Sequence, residues 1–325
     1  MAGVLLVLAT AFLTRSAPPS PTPVPPGAFA FAVLGDAPYY MWEDLQFRLV
    51  LKALNAHELR SVVHVGDIFW RPCTDAYYRR SLEWFNGLRH PVIYTPGDNE
   101  WFDCWEPGSG RFAPQDRLDR IRKLFFADPA RSLGQTPRTL VSQGGRGSFP
   151  EFVENVRWVE DRFVFATIHL IGSRNGMREF PGRAPSEDAA AKRRTEAAAA
   201  WVRETFAEAA SVNAAGVVLA FHASPDFDER PPTSRNRAVY EPFLAALEEE
   251  VERFHRPVLA MHGDDHIYTV DRPLVRRGTG RRLENFVRLE VPGSPEVGWV
   301  KVTVNPGAAD PFTFENHVLP RWKYW

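Results

Sequence analysis

Short apolar runs that end in glycine and aspartate recur three times in the first third of the chain. These runs end at Asp36, Asp67 and Asp98, and each aspartate directly follows a glycine. An apolar run that stops at a glycine is typical of a buried strand that delivers the next residue at its carboxyl end. In open α/β sheets, ligands bind at that edge. The pattern predicts three strands whose carboxylates lie side by side, an arrangement that needs a bound cation because like charges repel.

Two later apolar runs lead to histidines in the same way. One run leads directly to His222, and the other leads to a segment that contains His262, Asp264 and His266. Carboxylates and imidazoles from neighbouring strand ends suit two adjacent divalent transition metals. The sequence therefore predicts a two-metal site.

Helical stripes separate these strands. Apolar residues at helical spacing or amphipathic composition predict helices over residues 42–56, 75–88, 114–126, 186–210 and 240–254. The alternation of strands and helices implies right-handed crossovers and largely parallel pairing. Two regions instead favour strand pairs, residues 156–159 with 162–168, and residues 286–291 with 298–304.

The order of these motifs resembles the calcineurin-like metallophosphoesterases, from about residue 29 to about residue 271. That family has Asp-x-His, Gly-Asp, Gly-Asn-His-Asp/Glu, a lone His and Gly-His-x-His in this order. The resemblance implies a four-layer α/β/β/α sandwich of two mixed sheets, in which the C-terminal strands extend the second sheet. It also implies two divalent metal ions (Mn, Fe, Zn or Mg) and hydrolysis of a phosphate mono- or diester by a metal-activated hydroxide.

The same resemblance implies roles for individual residues. Asp36, Asp67 and His266 would hold one metal, and Asp67 would bridge to the other. The second metal would then be held by Asp67, Asp98, His222 and Asp264. Asp67 and Asn99 are the candidate catalytic residues, because Asn99 takes the place of the histidine that assists the leaving group in that family.

Several positions depart from the family pattern. Pro38 stands where a metal-binding histidine is expected, and Asp264 replaces another histidine. Four aspartates would then face two divalent ions, which favours harder metals. We hypothesise a modified metal site with weaker or different phosphoesterase activity. The alternative is a non-catalytic metal-binding protein that retains the fold.

Other polar residues near these motifs have both structural and functional interpretations. His262 either supports a ligand or is simply buried, and Glu100 is interpreted as a structural hydrogen-bond acceptor. His169 and Asn175 could donate hydrogen bonds to a substrate oxygen. The arginines of the loop 226–237 either bind phosphate or are solvated.

Two cysteines, Cys73 and Cys104, each lie a few residues beyond a Gly-Asp strand end. If the two strands are neighbours, a disulfide between these loops would clamp both over the metal site. The alternative is two buried free thiols.

Composition and the N-terminus limit the function classes. The chain has 325 residues, 44% of them hydrophobic, and a formal net charge of -1, so it lacks the basic footprint of a nucleic-acid binder. Residues 1–16 are predicted to be a signal peptide or short anchor, residues 17–28 a Pro-rich linker and residues 29–325 one domain. We expect a secreted or periplasmic protein with no stable membrane span. Its expected substrate is a phosphorylated small molecule or another phosphoester. The sequence leaves the oligomeric state open.

Overall fold

A computed structural model describes residues 23–145, 147–227 and 235–320 of the chain. The strands are β1 (Phe29–Leu34), β2 (Val62–His64), β3 (Val92–Tyr94), β4 (Val141–Ser142), β5 (Val156–Glu160), β6 (Phe163–Thr167), β7 (Gly216–Ala220), β8 (Val258–His262), β9 (Thr269–Asp271), β10 (Phe286–Glu290), β11 (Gly298–Val304) and β12 (Phe312–Val318). The helices are α1 (Met41–Ala56), α2 (Asp75–Asn86), α3 (Pro114–Phe125), the single turn α4 (Gly172–Gly176), α5 (Pro185–Ser211) and α6 (Arg235–Phe254).

These strands form two mixed sheets. The first has the order β12-β11-β1-β2-β3, and the second has the order β4-β5-β6-β7-β8-β10-β9. Strands β1, β2 and β3 run parallel, with Leu34, His64 and Tyr94 in register. Strands β6, β7, β8 and β10 are also parallel. The carboxyl ends within each parallel set therefore lie along one edge of its sheet.

Three apolar cores separate four layers. Between the sheets, Phe31 of β1 and Phe165 of β6 meet edge to face, with ring centroids 5.2 Å apart. The other face of the first sheet packs on α1, α2 and α3, and the other face of the second packs on α5 and α6. Because both sheets are covered on both faces, the parallel strands are mainly apolar, with polar residues such as His64, His262 and Glu290 at their carboxyl ends. The prediction of a four-layer α/β/β/α sandwich is confirmed.

The predicted helices all form, and so does the first predicted strand pair. Strands β5 and β6 pair antiparallel, with Glu160 opposite Phe163. The two turn residues, Asp161 and Arg162, have φ values of 40° and 70°. Positive φ at both central positions is what a two-residue hairpin turn requires, because its twist then matches that of the strands.

The second predicted strand pair is wrong. Strand β10 pairs with β8 and β9 in the second sheet, whereas β11 pairs with β1 and β12 in the first sheet. The C-terminal strands therefore extend both sheets and not the second alone. Alternation of apolar and polar residues identified these strands but carried no information about which sheet each one joins. The connection between β10 and β11 passes over the end of β1, where Gly293 lies against Asp36.

Cys73 and Cys104 form a disulfide with a Cα–Cα distance of 5.7 Å, which confirms the predicted pairing. Cys73 follows β2 and Cys104 follows β3, and these strands are neighbours in the first sheet. The bond therefore joins the two loops that carry Asp67 and Asp98.

No helix in the described part of the chain is long and apolar enough to cross a membrane. The predicted signal peptide or anchor, residues 1–16, lies outside the described residues, as do residues 17–22 of the predicted linker. These boundaries stay predictions.

Replacing both cysteines by serine is expected to lower the free energy of unfolding by about 3 to 4 kcal/mol. The reason is that the disulfide closes a loop with a sequence separation of 31 residues and so restricts the unfolded chain. Urea unfolding of the double variant and of the oxidised wild type measures the difference. Equal midpoints for oxidised and reduced wild type would contradict a stabilising role.

Candidate metal centre

The carboxyl ends of the two parallel strand sets meet at one edge of the sandwich. Asp36, Asp67 and Asp98 arrive there from the first sheet, just after β1, β2 and β3. From the second sheet come His222, which follows β7, and the segment after β8 that contains Asp264 and His266. The structure thus brings all six predicted ligands to one place.

The imidazole of His222 lies at the centre of this group. Its Nε2 atom is 3.0 Å from Asp98 Oδ1, 3.4 Å from Asp67 Oδ1 and 3.7 Å from Asp264 Oδ1. The His222 side chain is fully buried. Three carboxylates from three loops therefore converge on one ring nitrogen.

Two overlapping groups have the spacing of metal ligands. One is Asp36, Asp67 and His222, and the other is Asp98, His222 and Asp264, each with ligand atoms within 4.8 Å of one another. His266 adds to the first, because its Nε2 atom lies 3.5 Å from Asp36 Oδ1. The two groups share His222, whose Nε2 atom lies 3.4 Å from Asp67 Oδ1, so they are directly adjacent.

Backbone carbonyls fix the orientation of both histidines. The Nδ1 atom of His222 is 2.9 Å from the carbonyl oxygen of Val65, and that of His266 is 2.8 Å from the carbonyl oxygen of Ser294. Since a carbonyl oxygen only accepts hydrogen bonds, Nδ1 must carry the proton in each ring. The Nε2 atom of each ring then faces the carboxylates, the orientation typical of a metal-binding histidine whose Nδ1 is held by a backbone carbonyl.

Glycines make room for the carboxylates. A Cβ atom on Gly97 would lie 2.1 Å from Asp67 Oδ1, and one on Gly263 would lie 1.9 Å from Asp36 Oδ2. A side chain at either position would displace the carboxylate. Gly97 and Gly263 are therefore required at these positions, because the carboxylate oxygens lie where any side chain would begin. Each glycine also ends an apolar run.

Four of the predicted ligands have left-handed backbone conformations. The φ values are 54° for Asp36, 54° for Asp67, 81° for Asp264 and 64° for His266. This region is uncommon for residues other than glycine, and such strain concentrates at functional sites. The local backbone is therefore shaped to aim these side chains inward.

Burial raises the pKa of Asp36, Asp67 and Asp264, whereas at Asp98 hydrogen bonds and the charge of His222 together outweigh burial and lower the pKa. Burial together with the Asp98 charge raises the pKa of Asp264 to about 7. Burial alone would lower the pKa of His222, but the carboxylates of Asp67 and Asp98 raise it well above its usual value. The buried Asp36 Oδ2 atom has no hydrogen-bond partner among the described residues. Cations at this point would satisfy the orphaned oxygen and relieve the repulsion, so the residues fit a metal site.

Tyr39 lies at this centre but is not among the site residues predicted from the sequence. Its hydroxyl donates a 2.6 Å hydrogen bond to Asp67 Oδ2 and lies 3.2 Å from His266 Nε2. Burial and the Asp67 charge raise the pKa of Tyr39 well above its usual value. The family pattern expects a ligand at position 38, where this chain has proline. The side chain that reaches the centre is that of Tyr39, one position later.

Glu100 ties the Asp67 and Asp98 loops together, in agreement with its interpretation as a structural acceptor. Its Oε1 atom accepts hydrogen bonds from the backbone N–H groups of Gly97 and Asp67, at 2.8 and 3.2 Å, and from the Tyr94 hydroxyl at 2.7 Å. Asn99, the other candidate catalytic residue, is half-buried and donates its backbone N–H to Asp67 Oδ1 at 3.1 Å.

His262 lies outside the centre. Its ring stacks on Phe221 with centroids 5.9 Å apart, on the face of the second sheet that packs against the helices. Burial lowers the pKa of His262 to about 3, so the ring is neutral. Of the two interpretations made from the sequence, the structure matches the buried histidine.

His169 and Asn175 are also buried rather than open to substrate. The Nδ1 atom of His169 is 2.6 Å from Glu154 Oε1, and Glu154 accepts two hydrogen bonds from the guanidinium of Arg122. Asn175 Oδ1 accepts a 3.1 Å hydrogen bond from Arg194 Nε within the left-handed turn α4. Both side chains stabilise the loop region beside α4, and neither reaches solvent.

The arginine loop after His222 is only partly described. Arg230, within residues 228–234, and the side chain of Arg235 lie outside the described part of the chain. Arg237 is buried, with its Nη1 atom donating to the carbonyl oxygen of Asp226 at 2.5 Å and its Nη2 atom 3.6 Å from Glu248 Oε1. Its charge is therefore compensated inside the protein.

Solved structures share this architecture. The structure of PhoD matches with a TM-score of 0.55 and 12% identity over 92% of this chain and 70% of that chain. TT1561 of Thermus thermophilus matches with a TM-score of 0.44 and 10% identity over 89% of this chain and 99% of that chain. No family model and no curated protein sequence matches. The chain has a metallophosphoesterase fold, as its motifs suggested, and the likeness to PhoD carries this conclusion.

Acidification is expected to destabilise the protein through His169 and Glu154. Burial lowers the pKa of His169 from 6.5 to about 4, so the unfolded chain takes up this proton first as pH falls. The contribution of His169 to stability is therefore complete above pH 6.5 and falls by about 3 kcal/mol toward pH 4. Burial alone would raise the pKa of Glu154, but Arg122 and His169 lower it from 4.5 to about 2, which extends the loss below pH 4.5.

Urea unfolding between pH 4 and pH 7 measures this loss in wild type and in His169→Gln. The variant should show a flatter profile, because its side chain does not titrate. His255→Asn, which removes an exposed histidine, is the control and should keep the wild-type slope. Parallel pH profiles for wild type and His169→Gln would show that His169 does not cause the loss of stability at low pH.

Proposed function

We propose that this protein is a metal-dependent phosphoesterase that hydrolyses a phosphate mono- or diester with two bound metal ions. The observation that carries the proposal is the convergence of four aspartates on two histidines whose Nε2 atoms face the carboxylates. A fold shared with metallophosphoesterases supports it, although fold alone does not fix function.

The proposed ligand sets differ from the two geometric groups in that His266 replaces His222 in the first and Asp67 is added to the second. Asp36, Asp67 and His266 would hold one ion, and Asp67, Asp98, His222 and Asp264 would hold the other. When bound, two such ions acidify a coordinated water and polarise a phosphoryl oxygen. Four carboxylates suit hard divalent ions such as Mn²⁺ or Mg²⁺, alone or beside Fe or Zn.

Tyr39 would compensate for the histidine that Pro38 replaces. Its hydroxyl contacts both Asp67 and His266, two proposed ligands of the same ion. In this position the oxygen either coordinates the ion or orients Asp67 by hydrogen bonding. In both cases Tyr39 stabilises the first metal position.

Asn99 would bind the phosphoryl group without transferring a proton. Its side-chain amide makes no hydrogen bond to another described residue, and the residue is half-buried beside Asp67. The amide can donate to a phosphoryl oxygen as charge develops there, but it has no titratable proton. Protonation of the leaving group then falls to water, so good leaving groups should react fastest.

The alternative is a non-catalytic protein that binds metal through the same side chains. The observation in its favour is the absence of a titratable group at position 99. The retained carboxylates argue for the enzyme, because drift in a protein without turnover would more often leave neutral residues at these positions.

We also infer that the protein works outside the cytoplasm. The disulfide between Cys73 and Cys104 supports this, because structural disulfides persist in oxidising compartments.

Asp67→Asn is expected to lower the hydrolysis of an activated aryl phosphate by about a hundredfold or more and to reduce the metal content. The substitution removes one negative charge from the carboxylate that both ions would share. Assays with and without added Mn²⁺, together with elemental analysis, measure both effects. Asp265→Asn, at an exposed carboxylate beside the centre, is the matched control and should retain activity. Wild-type protein with bound metal and no turnover on mono- or diesters would favour the non-catalytic alternative.

Tyr39→Phe is expected to weaken metal affinity by about tenfold to a hundredfold, because an oxygen that coordinates or orients a ligand is lost. Titration of the metal-loaded protein with a competing chelator measures this affinity. Tyr77→Phe removes the hydroxyl of a half-buried tyrosine on α2 and should leave the affinity unchanged. Equal affinities for wild type and Tyr39→Phe would remove Tyr39 from the metal centre.

A further inference from the structure

A row of four aromatic rings leads from the metal centre to the protein surface. The Tyr39 ring, whose hydroxyl contacts Asp67, is 6.4 Å from the ring of Trp70. The Trp70 ring is 5.6 Å from that of Tyr40, and Tyr40 stacks on Trp42 with centroids 4.4 Å apart and planes 4° from parallel. We call these four residues the aromatic row.

The outer part of this row is exposed to solvent. Trp42 is 56% exposed and Tyr40 is 37% exposed, and the adjacent Met41 is 85% exposed. Other large aromatic residues of the chain, such as Trp101 and Trp299, are almost fully buried. Exposed aromatic faces beside a polar site are typical of ligand contacts, since they gain apolar burial only when something covers them.

Arg71 adds a positive charge to this surface. Its guanidinium carbon lies 3.7 Å from the centroid of the Trp70 ring, so the charged plane covers one face of that ring. Arg71 is exposed and forms no ion pair with a carboxylate of the described residues. It therefore remains available to an anionic group while it holds Trp70 in place.

The loops that carry the aromatic row also carry the metal ligands. Tyr39 and Tyr40 follow Asp36 by three and four positions, and Trp70 follows Asp67 by three. The distance between the row and the metal centre is therefore set by two short loops at the ends of β1 and β2. A molecule whose phosphate lies at the metal centre therefore has these rings among its apolar neighbours.

We propose that the aromatic row binds a planar aromatic group in the organic part of the substrate. This inference rests on the proposed phosphoesterase function and narrows the substrate to aryl or heteroaryl phosphoesters. The ring of the substrate would stack on Trp70 and meet Tyr40 edge to face, since the planes of these two rings are 73° apart. Its phosphate would lie beside Asp67 and Asn99. Arg71 would attract an additional anionic group on such a substrate.

Two non-hydrolysable probes of equal headgroup chemistry test the inference. Calorimetric titration of the Mn²⁺-loaded protein should give about fivefold to a hundredfold tighter binding of phenylphosphonate than of methylphosphonate, the range expected for one stacked ring. In Trp70→Ala the ratio of the two affinities should fall toward one, and in Trp70→Phe, which keeps a ring, most of the ratio should return. Val212→Ala removes an exposed apolar side chain on the loop before β7, at the opposite edge of the sheet, and should keep the full ratio.

The outcomes separate this inference from the proposed function. Failure of both phosphonates to bind would overturn the phosphoryl site itself, whereas equal affinities would overturn only the aromatic subsite. A preference for phenylphosphonate that persists in Trp70→Ala would place the stacking elsewhere and also overturn it. Equal affinities together with binding to vesicles of anionic phospholipid, lost in Trp42→Ala, would assign the exposed rings to a membrane surface instead.

Discussion

The repulsion among four carboxylates at one edge of the sandwich is the constraint on which the rest of this site depends. Asp36, Asp67 and Asp98 are almost fully buried and Asp264 is largely covered, so water offers little screening. The protein brings them together through left-handed backbone turns and through glycines that leave room for the oxygens. Such an arrangement lowers stability unless positive charge is bound there. The architecture is therefore one that could hold cations.

The surroundings of the carboxylates hold this unfavourable arrangement in place. Glu100 accepts backbone hydrogen bonds from the Asp67 and Asp98 loops, and the disulfide joins the same two loops farther out. Behind them, three parallel strands in register fix where each loop begins. The apolar cores on both faces of each sheet supply the stability that offsets the strain. The ligand positions are thus set by groups that are not themselves proposed ligands.

The family resemblance implied the four layers, and local patterns at the strand ends predicted the converging side chains. Strand ends carry the motif residues, and neighbouring parallel strands must end at one edge. Prediction from the sequence failed where a residue acts through distant contacts. Whether β11 joins the first or the second sheet depends on packing across the sandwich, and the burial of His169 depends on Glu154 and Arg122. Tyr39 was missed because a motif is compared position by position, whereas a side chain one position away can reach the same point in space.

Two independent features of the site favour the same kind of substrate. Asn99 offers no titratable proton, so an alkoxide leaving group, whose conjugate acid has a pKa near that of water, would depart slowly. A phenolate departs much more easily, because the pKa of a phenol is about 10. The aromatic row lies where it would contact the ring of such a leaving group. Loss of a proton donor is thus tolerable for an enzyme that acts on aryl esters, and the exposed rings beside the metal centre provide the contact that would select them.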